Sequence, residues 1–479
     1  MKIYDTLTQK KKTFPSADRK NEKNIGMYVC GPTVYDVGHL GHARAAVSFD
    51  IIRRYLGYKG FAVTFVSNVT DVEDKMIKRA KEEGITEAEL AERIIPEYEK
   101  DYGALRVLPP DHRPRATEYI LEMVALIERL MEKDVAYATE DGVYFEVQKF
   151  KDYGKLSHQK LSELKAGARV TVDERKKNPE DFALWKKAKK GEPTWDGPRG
   201  MHGRPGWHIE CSAMSMDLLG ETFDIHGGGI DLVFPHHEDE IAQSEMATGK
   251  PFARFWLHNG HVKVNKEKMS KSLGNFFTIK DILKKYHPLV VRYFLLSTHY
   301  RMPIDFSDAL LEQAKNSLDR LHNFMRRLSA STASDGPLVI KDRLAQAESL
   351  FNVAMDDDFE ISKALAAIFD LINEMNALMD ESKLSKKDFS EIQNVLQQFD
   401  TVLAVLNSHD SEVSVESDAA EIERLIQERA AARDARNFAR ADEIRDELQK
   451  RGILLEDTSA GTLWKKDFTG SHTPERGNL

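Results

Sequence analysis

Apolar residues near the start of the chain follow the pattern of a strand, then a helix, then a second strand. The run Ile25–Cys30 (IGMYVC) is typical of a buried strand, and the alternating run 61–69 (FAVTFVSNV) predicts another. Between them the sequence from Gly41 indicates a helix, because apolar residues recur at helical spacing, at Ala45, Phe49, Ile52 and Leu56. This order predicts two parallel strands joined by a right-handed crossover.

The predicted sheet also indicates where a ligand would bind. In parallel sheets, ligands bind at the carboxyl ends of the strands. Those ends lead here into the loop Cys30–Gly41 and the segment Asn68–Asp74. We therefore expect a binding site at these two segments.

Beyond this unit, the pattern divides the chain into further parts. Residues 111–204 form a predicted insertion with a helix over Glu118–Lys133 and a strand over Gly142–Val147, and the strand-and-glycine pattern resumes at Gly206. After Asn275 the sequence is almost wholly helical. One apolar stripe there is typical of a bundle helix, at Ala364, Leu365, Ile368, Leu371, Ile372, Met375 and Leu378.

The last part of the chain begins with a polar stretch. Asn407–Ser417 lacks periodicity, which predicts a linker. Helical sequence over Glu421–Gln449 follows, and the run 453–466 (ILLEDTSAGTLWKK) predicts a hairpin.

Composition limits the class of protein. The 479 residues carry a net charge of −9, so a nucleic acid would have to bind to local basic patches. No apolar run is long enough for a membrane span, and the N-terminal residues lack the apolar segment of a signal peptide. Two cysteines do not make a disulfide framework. We therefore expect a soluble, cytoplasmic protein with reduced thiols.

Those cysteines belong to a candidate metal site. Cys30 ends the first strand, Cys211 lies shortly after Trp207, and His236 and Glu240 are four residues apart on one face of a predicted helix. Thiolate, imidazole and carboxylate groups all bind zinc, so these residues make a plausible tetrahedral set. The alternative is that each cysteine is a small buried apolar residue.

The histidines of HLGH form a second candidate site. His39 and His42 lie just before and at the start of the predicted helix, where backbone N–H groups and the helix dipole favour phosphate. Gly41 lets a planar group approach the backbone closely. These residues therefore look like nucleotide contacts rather than metal ligands, with a packed or surface histidine as the alternative.

A second nucleotide signal is the segment Lys268–Ser272, which reads KMSKS. Its two lysines, on a serine-containing loop, supply mobile positive charges for a triphosphate whose pyrophosphate leaves. An isolated match of this kind is equally consistent with an exposed polar loop. Its combination with HLGH in one chain is much rarer.

HLGH and KMSKS resemble the H-I-G-H and K-M-S-K-S signatures of class I aminoacyl-tRNA synthetases, with Leu40 as one conservative change. Longer runs are similar to the cysteinyl-tRNA synthetase family, namely YVCGPTVYD, GWHIECSAM, FDIHGGGIDLVFPHHEDEIAQSE and HVKVNKEKMSKSLGNFF. The resemblance extends from Ile3 to about Lys466. It implies an α/β fold: a class I Rossmann-type catalytic domain with a parallel sheet and an inserted domain, then an α-helical bundle and a small C-terminal α+β unit.

With this family as a guide, we expect six segments along the chain. They are the first half of the catalytic domain over 1–110, an inserted connective domain over 111–204, the second half over 205–307, a tRNA-binding helical bundle over 308–406, a linker over 407–419 and an anticodon-binding domain with a loose tail over 420–479.

The resemblance also implies roles for individual residues. One zinc ion per chain would be held by Cys30, Cys211, His236 and Glu240. The pocket for substrate cysteine would be lined by Thr70 and Trp207. ATP, with Mg²⁺, would be bound by His39, Gly41, His42, Gly227, Gly228, Asp231 and Lys271. The catalytic residues would be His39, His42, Lys268 and Lys271.

The implied reaction has two steps. The carboxylate of L-cysteine attacks the α-phosphorus of ATP, and a terminal hydroxyl of tRNA(Cys) then takes the cysteinyl group from the adenylate. Serine differs from cysteine by one atom, so the preference of zinc for thiolate would select the substrate without an editing domain. We expect a monomer. The alternatives are a cysteine ligase of the same family that acts on an amino-sugar in thiol biosynthesis, a non-catalytic paralogue and a zinc hydrolase.

Two basic regions are candidates for tRNA binding. One is Arg175–Lys190 in the insertion. The other is a stripe of arginines near the C-terminus, Arg429, Arg433, Arg436 and Arg440. The stripe requires a continuous helix, whereas Asn437 can cap a second one, and a solvated helix face is an equal alternative. Phe438 and Trp464 are candidate base-stacking residues.

Overall fold

The computed structural model describes residues 1–20, 22–160, 175–264, 267–268, 277–331, 333–406, 415–451, 453–458 and 461–466. The packing of the backbone divides the chain into two units. Unit 1 comprises Met1–Phe276, Leu295–Phe306 and Lys341–Leu371, and unit 2 comprises Phe277–Phe294, Ser307–Ile340 and Ile372–Leu479. This grouping differs from the expected bundle over 308–406, and the five boundaries between the six expected segments stay predictions.

The described strands are, in chain order, β1 (Lys2–Asp5), β2 (Lys10–Thr13), β3 (Asn24–Val29), β4 (Ala62–Ser67), β5 (Ala136–Ala138), β6 (Gly142–Phe145), β7 (Phe182–Lys187), β8 (Trp195–Asp196), β9 (His202–Pro205), β10 (Phe223–Gly229), β11 (Ala253–Asn259), β12 (Val262–Val264), β13 (Glu267–Lys268), β14 (Ile304–Phe306), β15 (Ile453–Thr458) and β16 (Gly461–Lys466).

The described α-helices are, in chain order, α1 (Leu40–Tyr58), α2 (Asp74–Glu83), α3 (Glu87–Ala104), α4 (Ile120–Glu132), α5 (Trp207–Leu219), α6 (Glu238–Thr248), α7 (Ile279–Lys285), α8 (Pro288–Ser297), α9 (Asp308–Ala330), α10 (Lys341–Asp356), α11 (Ile361–Asp380), α12 (Lys386–Leu403), α13 (Val415–Asp434) and α14 (Phe438–Lys450). None of the helices in the described part of the chain combines the length and apolarity needed to cross a bilayer.

A parallel sheet with the order β11–β10–β3–β4 lies at the centre of unit 1. Strands β3 and β4 pair with Met27 opposite Phe65, and α1 connects them and packs against β4. This confirms the predicted strand–helix–strand unit. Strands β3 and β4 both carry fully buried apolar residues because helices cover the sheet, as at Tyr28 and Val66.

The carboxyl ends of these strands meet at one edge of the sheet. Cys30 directly follows β3, the segment from Asn68 follows β4, and β10 and β11 end at Gly229 and Asn259. The two loops predicted to bind a ligand also pair, because Thr70 N donates to Pro32 O over 3.1 Å. We therefore expect the ligand-binding site to lie at this edge of the sheet.

The insertion contains more strand than its sequence pattern indicates. Helix α4 and strand β6 confirm the predicted helix and strand, but an antiparallel sheet with the order β5–β6–β7–β9–β8 surrounds β6. Strand β9 (HGRP) has no apolar alternation to reveal it. It pairs with β7 because Gly203 has no side chain; a Cβ there would collide with the Lys186 carbonyl.

Asp358 explains why Lys341–Leu371 packs as part of unit 1. Its carboxylate is fully buried and accepts hydrogen bonds from the Tyr4 amide at 2.9 Å, the Tyr300 hydroxyl at 3.0 Å and Arg301 Nε at 2.8 Å. This carboxylate thus joins the first strand to the segment after α8. No apolar periodicity signals such a contact.

Two helices, rather than one, precede the C-terminal hairpin in unit 2. Helix α13 ends at Asp434, Arg436 adopts a φ of 55°, and the Asn437 side chain accepts from the Arg440 amide at 3.3 Å to cap α14. The prediction of one continuous helix, which the arginine stripe requires, is therefore wrong, and the alternative of a second helix capped by Asn437 is confirmed. Arg429 is buried and donates to the Thr462 hydroxyl at 3.4 Å, so it lies within the fold of the unit.

The ends of this region agree only in part with the sequence pattern. Helix α13 begins at Val415, so residues 415–417 of the predicted linker are helical; residues 407–414 lie outside the described residues. The helical propensity of the run VESDAAEIERL accounts for the earlier start. The hairpin is confirmed, with Leu455 opposite Trp464.

Candidate metal centre and nucleotide cleft

The four predicted metal ligands lie together although 181 residues separate the two cysteines. The Cys30 Sγ atom is 3.6 Å from Cys211 Sγ, 3.6 Å from His236 Nε2 and 3.5 Å from Glu240 Oε1. The four donor atoms all lie within 4.8 Å of one another. Only Cys30 of the four is partly exposed; the other three are buried.

The backbone around His236 differs in detail from the simple predicted helix. The backbone is kinked at Phe234, whose φ of −139° and ψ of 132° are extended, and α6 begins only at Glu238. His236 Nε2 nevertheless lies 3.0 Å from Glu240 Oε1, so both side chains face the cysteines.

Burial and close contact shift the pKa of each donor. Burial raises the pKa of Cys30 well above its ordinary value, while contacts with Cys30 and His236 outweigh burial and lower the pKa of Cys211 to about 6. Burial opposes the charge of His236, but the carboxylate of Glu240 raises the pKa of its imidazole to about 10. Burial disfavours the carboxylate of Glu240, yet His226 and His236 hold its pKa well below the usual range.

A second layer of side chains fixes the ring of His236. His236 Nδ1 is 2.9 Å from His208 Nδ1, and His208 Nε2 lies 3.4 Å from Asp239 Oδ2. Tyr153 donates to the other oxygen of Asp239. If His236 Nε2 binds a metal, its Nδ1–H donates to His208, whose Nε2–H donates to Asp239. Such a chain is the usual support of a metal-bound histidine.

Sequence analysis missed the other histidines of this centre. His226 Nε2 lies 2.7 Å from Glu240 Oε2, and His237 Nε2 lies 3.3 Å from Cys30 Sγ. His237 Nδ1 is in turn 2.8 Å from His258 Nε2. The rings of His226 and His237 form a second donor set with Cys30 and Glu240. The only signal in the sequence was the density of histidine in FDIHGGG and PHHEDE.

The donor set fits zinc on its chemistry. It offers two sulfur atoms, one imidazole nitrogen and one carboxylate oxygen, a combination that a tetrahedral zinc accepts and that hard cations such as Mg²⁺ do not favour. Three of the donors are removed from water, and the second layer holds them in place. These four residues are therefore the ones that would hold the ion.

A cleft of about 860 Å³ opens beside the donors. Cys30 and Trp207 lie on its wall, and the Trp207 ring stacks on the His236 ring with centroids 4.3 Å apart. His39, Gly41 and His42 line the same cleft. Among the predicted metal ligands, Cys30 therefore borders the same space as His39, Gly41 and His42, and neither of these two histidines belongs to a donor set with it in the described part of the chain.

Hydrogen bonds indicate which ring nitrogen carries the proton in the two HLGH histidines, His39 and His42. His39 caps α1, and its Nδ1 accepts from the Gly41 amide at 3.1 Å. His42 Nδ1 accepts from the His39 amide at 3.2 Å and lies 3.2 Å from the Tyr98 hydroxyl. Because both Nδ1 atoms accept, a neutral ring carries its proton on Nε2, which is then a donor.

The remaining predicted residues fall at different places. Asp231 lines the cleft, together with Gly229, Asn259, Gly260 and His261, which sequence analysis did not name. Gly227 and Gly228 lie in β10, where a Cβ would meet Phe49 and Leu232.

Thr70 is buried and donates to Glu210 Oε2 at 2.8 Å. Lys268 lies in β13 opposite Lys263 of β12, and Lys271 lies outside the described residues. The roles of all these residues in binding stay predictions.

Three protein-family models match the chain over most of its length. The model of the class I (C) tRNA synthetase catalytic domain matches residues 16–316, that of the DALR domain matches 350–407, and that of the cysteinyl-tRNA ligase anticodon binding domain matches 419–464. The chain belongs to the cysteine–tRNA ligase family. As a class I tRNA synthetase, it is an ATP-dependent ligase.

Individual relatives in this family match over nearly the full length. The chain is 50% identical to cysteine–tRNA ligase of Geobacter sulfurreducens, over 97% of this chain and 99% of the relative. It is 51% identical to that of Carboxydothermus hydrogenoformans, over 97% and 100%. The ligase of Thermococcus onnurineus is 49% identical, over 97% and 99%.

A solved structure outside the family shares the fold. Mycobacterium tuberculosis methionyl-tRNA synthetase in complex with methionyl-adenylate superposes with a TM-score of 0.60 over 80% of this chain and 90% of that chain. The two sequences are only 17% identical, so this likeness concerns the fold alone. It agrees with the predicted class I architecture around a parallel sheet.

Proposed function

We propose that the chain activates L-cysteine with MgATP and transfers the cysteinyl group to the 3′-terminal adenosine of tRNA(Cys). One observation carries this proposal above the others: a buried donor set with two thiols shares a wall with the cleft that HLGH lines. Such an arrangement suits a small thiol substrate that must meet a nucleotide. The cysteine–tRNA ligases that are about half identical in sequence support the same function.

Cys30, Cys211, His236 and Glu240 would hold one zinc ion. When bound, zinc would supply a soft acceptor that prefers a thiolate sulfur to a serine hydroxyl. The chain's own residues would orient the rest of the amino acid. Trp207 lies on the cleft wall beside the donors, and the Thr70 hydroxyl is held by Glu210 behind them.

The start of α1 would bind the phosphates of ATP. His39 and His42 each accept at Nδ1, so a neutral ring carries its proton on Nε2, the atom that would donate to an anionic phosphate oxygen. Their rings stack with centroids 3.7 Å apart, so the two donors are held side by side. Attack of the cysteine carboxylate on the α-phosphorus needs little covalent help; positioning and charge stabilisation dominate. Lys268 and Lys271 would add charge for the leaving pyrophosphate.

Binding of tRNA would use the C-terminal part of the chain. The anticodon-domain match covers residues 419–464 and supports this assignment. Phe438 is 62% exposed at the start of α14, which suits a base-stacking residue. A monomer that works in the cytoplasm completes the proposal.

Cysteine-dependent exchange of labelled pyrophosphate into ATP tests the first step. We expect exchange with cysteine and very little with serine. Charging of total tRNA with labelled cysteine tests the second step. Exchange without charging would contradict tRNA(Cys) as the acceptor and would favour the amino-sugar ligase. Absence of exchange would contradict cysteine activation itself.

A further inference from the structure

Arg44 is a buried charged residue that the proposed chemistry does not use. It lies on α1 two residues after His42, and only 1% of its surface is exposed. Among the described residues, no carboxylate lies within ion-pairing distance of its guanidinium. Burial lowers the pKa of Arg44 to about 10, which still leaves the side chain charged at neutral pH.

Backbone carbonyls take the place of a counter-ion. Arg44 Nη1 donates to the Leu295 carbonyl, and the two N–H bonds of Nη2 point into a group of four carbonyl oxygens, those of Thr298 (3.2 Å), His299 (2.7 Å), Tyr300 (3.2 Å) and Met302 (3.4 Å). These carbonyls belong to the last turn of α8 and the bend that follows it. One guanidinium therefore holds this bend against the helix that begins with the HLGH histidines.

The same bend contacts another part of the cleft lining, Gly260 and His261. The Tyr300 carbonyl that accepts from Arg44 also accepts from the Gly260 amide at 2.8 Å. The Ile304 amide donates to the His261 carbonyl at 3.0 Å. Gly260 and His261 both line the cleft, and a Cβ at Gly260 would collide with the backbone of Met302. The bend and this part of the lining are thus in direct backbone contact.

We propose that Arg44 is a positioning residue for ATP: it fixes the Gly260–His261 wall of the cleft at the correct distance from the His39–His42 wall. This inference rests on the proposed function, since it assumes that ATP spans the two walls. A displacement of about 1 Å at such a site costs up to roughly 100-fold in rate. Lysine does not reproduce this contact, because the guanidinium reaches the Leu295 carbonyl with Nη1 and the other carbonyls with Nη2, whereas an ammonium has a single nitrogen.

The test compares Arg44→Lys and Arg44→Met with a matched control on the same helix. Arg54 is also mostly buried on α1, but it pairs with Asp50 at 2.8 Å and donates to the Arg106 carbonyl at 2.9 Å. Arg54→Met therefore removes an arginine from α1 without touching the bend. Zinc content and thermal midpoint are measured for each variant, and pyrophosphate exchange gives KM separately for ATP and for cysteine.

We expect both Arg44 variants to raise KM for ATP by about tenfold or more while KM for cysteine changes by less than about twofold. Zinc content should match the wild-type chain. Arg54→Met should lower the thermal midpoint without this selective effect. Added guanidinium ion at millimolar concentration should restore part of the ATP affinity of Arg44→Met. If that variant does not fold, Arg44→Lys carries the comparison.

Two results would overturn the inference. One is a KM for ATP in the Arg44 variants that rises no more than in Arg54→Met. The other is a parallel rise in both KM values, which indicates a general structural role. Failure of the proposed function looks different, because the wild-type chain would then show no cysteine-dependent exchange. In that case ATP binding is compared directly by calorimetry, and equal affinities for wild type and Arg44→Lys would contradict the inference.

Discussion

The two ends of the cleft are built in different ways. At the metal end, Cys211, His236 and Glu240 are buried, and His208 and Asp239 form a further layer behind them. At the nucleotide end, His39 and His42 are only partly buried and bond to the backbone at the start of their own helix.

This difference matches what each end is proposed to bind. Soft donors hold a metal tightly when water is excluded and their orientation is fixed in advance. Phosphates arrive from solvent as part of a large ligand, so their donors have to remain accessible. Changes at one end should therefore leave the other end intact, and the following variants test that independence.

The largest effect is expected for Cys211→Ser. Structural zinc binding is worth about 10–16 kcal/mol over four ligands, so the loss of one thiolate should reduce zinc affinity about 10²–10³-fold. Zinc content by mass spectrometry and the preference for cysteine over serine should both fall. Ser215→Ala, a buried change on the same helix, is the control. Unchanged zinc content together with unchanged selectivity would contradict the assignment of the donors.

The next effect is expected at the other end, for His42→Ala. Removal of one charge-stabilising donor should slow adenylate formation by about 10²-fold, measured in single-turnover assays. Zinc content should stay at the wild-type level. The exposed His202 provides a matched histidine-to-alanine control. Loss of zinc from His42→Ala would mean that the two ends form one metal cluster after all.

A smaller effect is expected for His208→Phe, which keeps a ring but removes the contacts with His236 and Asp239. Partners behind a metal ligand typically contribute about 10-fold or more in affinity. Zinc should therefore be released to a competing chelator about 10-fold faster from this variant than from the wild-type chain. KM for ATP should not change. A variant that retains zinc as well as the wild type would show that this layer has no role in holding the ion.

The smallest effect is expected for Tyr98→Phe. The hydroxyl lies 3.2 Å from His42 Nδ1, and a neutral hydrogen bond contributes about 1 kcal/mol. We expect a fall of about fivefold in kcat/KM for ATP, with zinc content and KM for cysteine unchanged. A change in KM for cysteine alone would contradict the assignment of Tyr98 to the nucleotide end of the cleft.

Local patterns were sufficient where structure depends on near neighbours. The first strand–helix–strand unit, α4, β6 and the C-terminal hairpin all follow from periodicity and turn residues. Local patterns were not sufficient where packing between remote segments determines the structure. The sheet around β6 depends on the close approach that Gly203 permits, whereas the break at Arg436 follows the local cap by Asn437 that the sequence had offered as an alternative.

The sequence by itself determined the family, the parallel-sheet core and the four candidate metal ligands. Only the tertiary structure brought Cys30 within 3.6 Å of Cys211, separated the donors from the HLGH histidines and surrounded them with His208, His226, His237 and His258. It also showed the bond of Arg44 to carbonyls more than 250 residues away. The physical reason is that motifs record which groups are needed, whereas distance, burial and hydrogen-bond partners arise only when remote segments pack together.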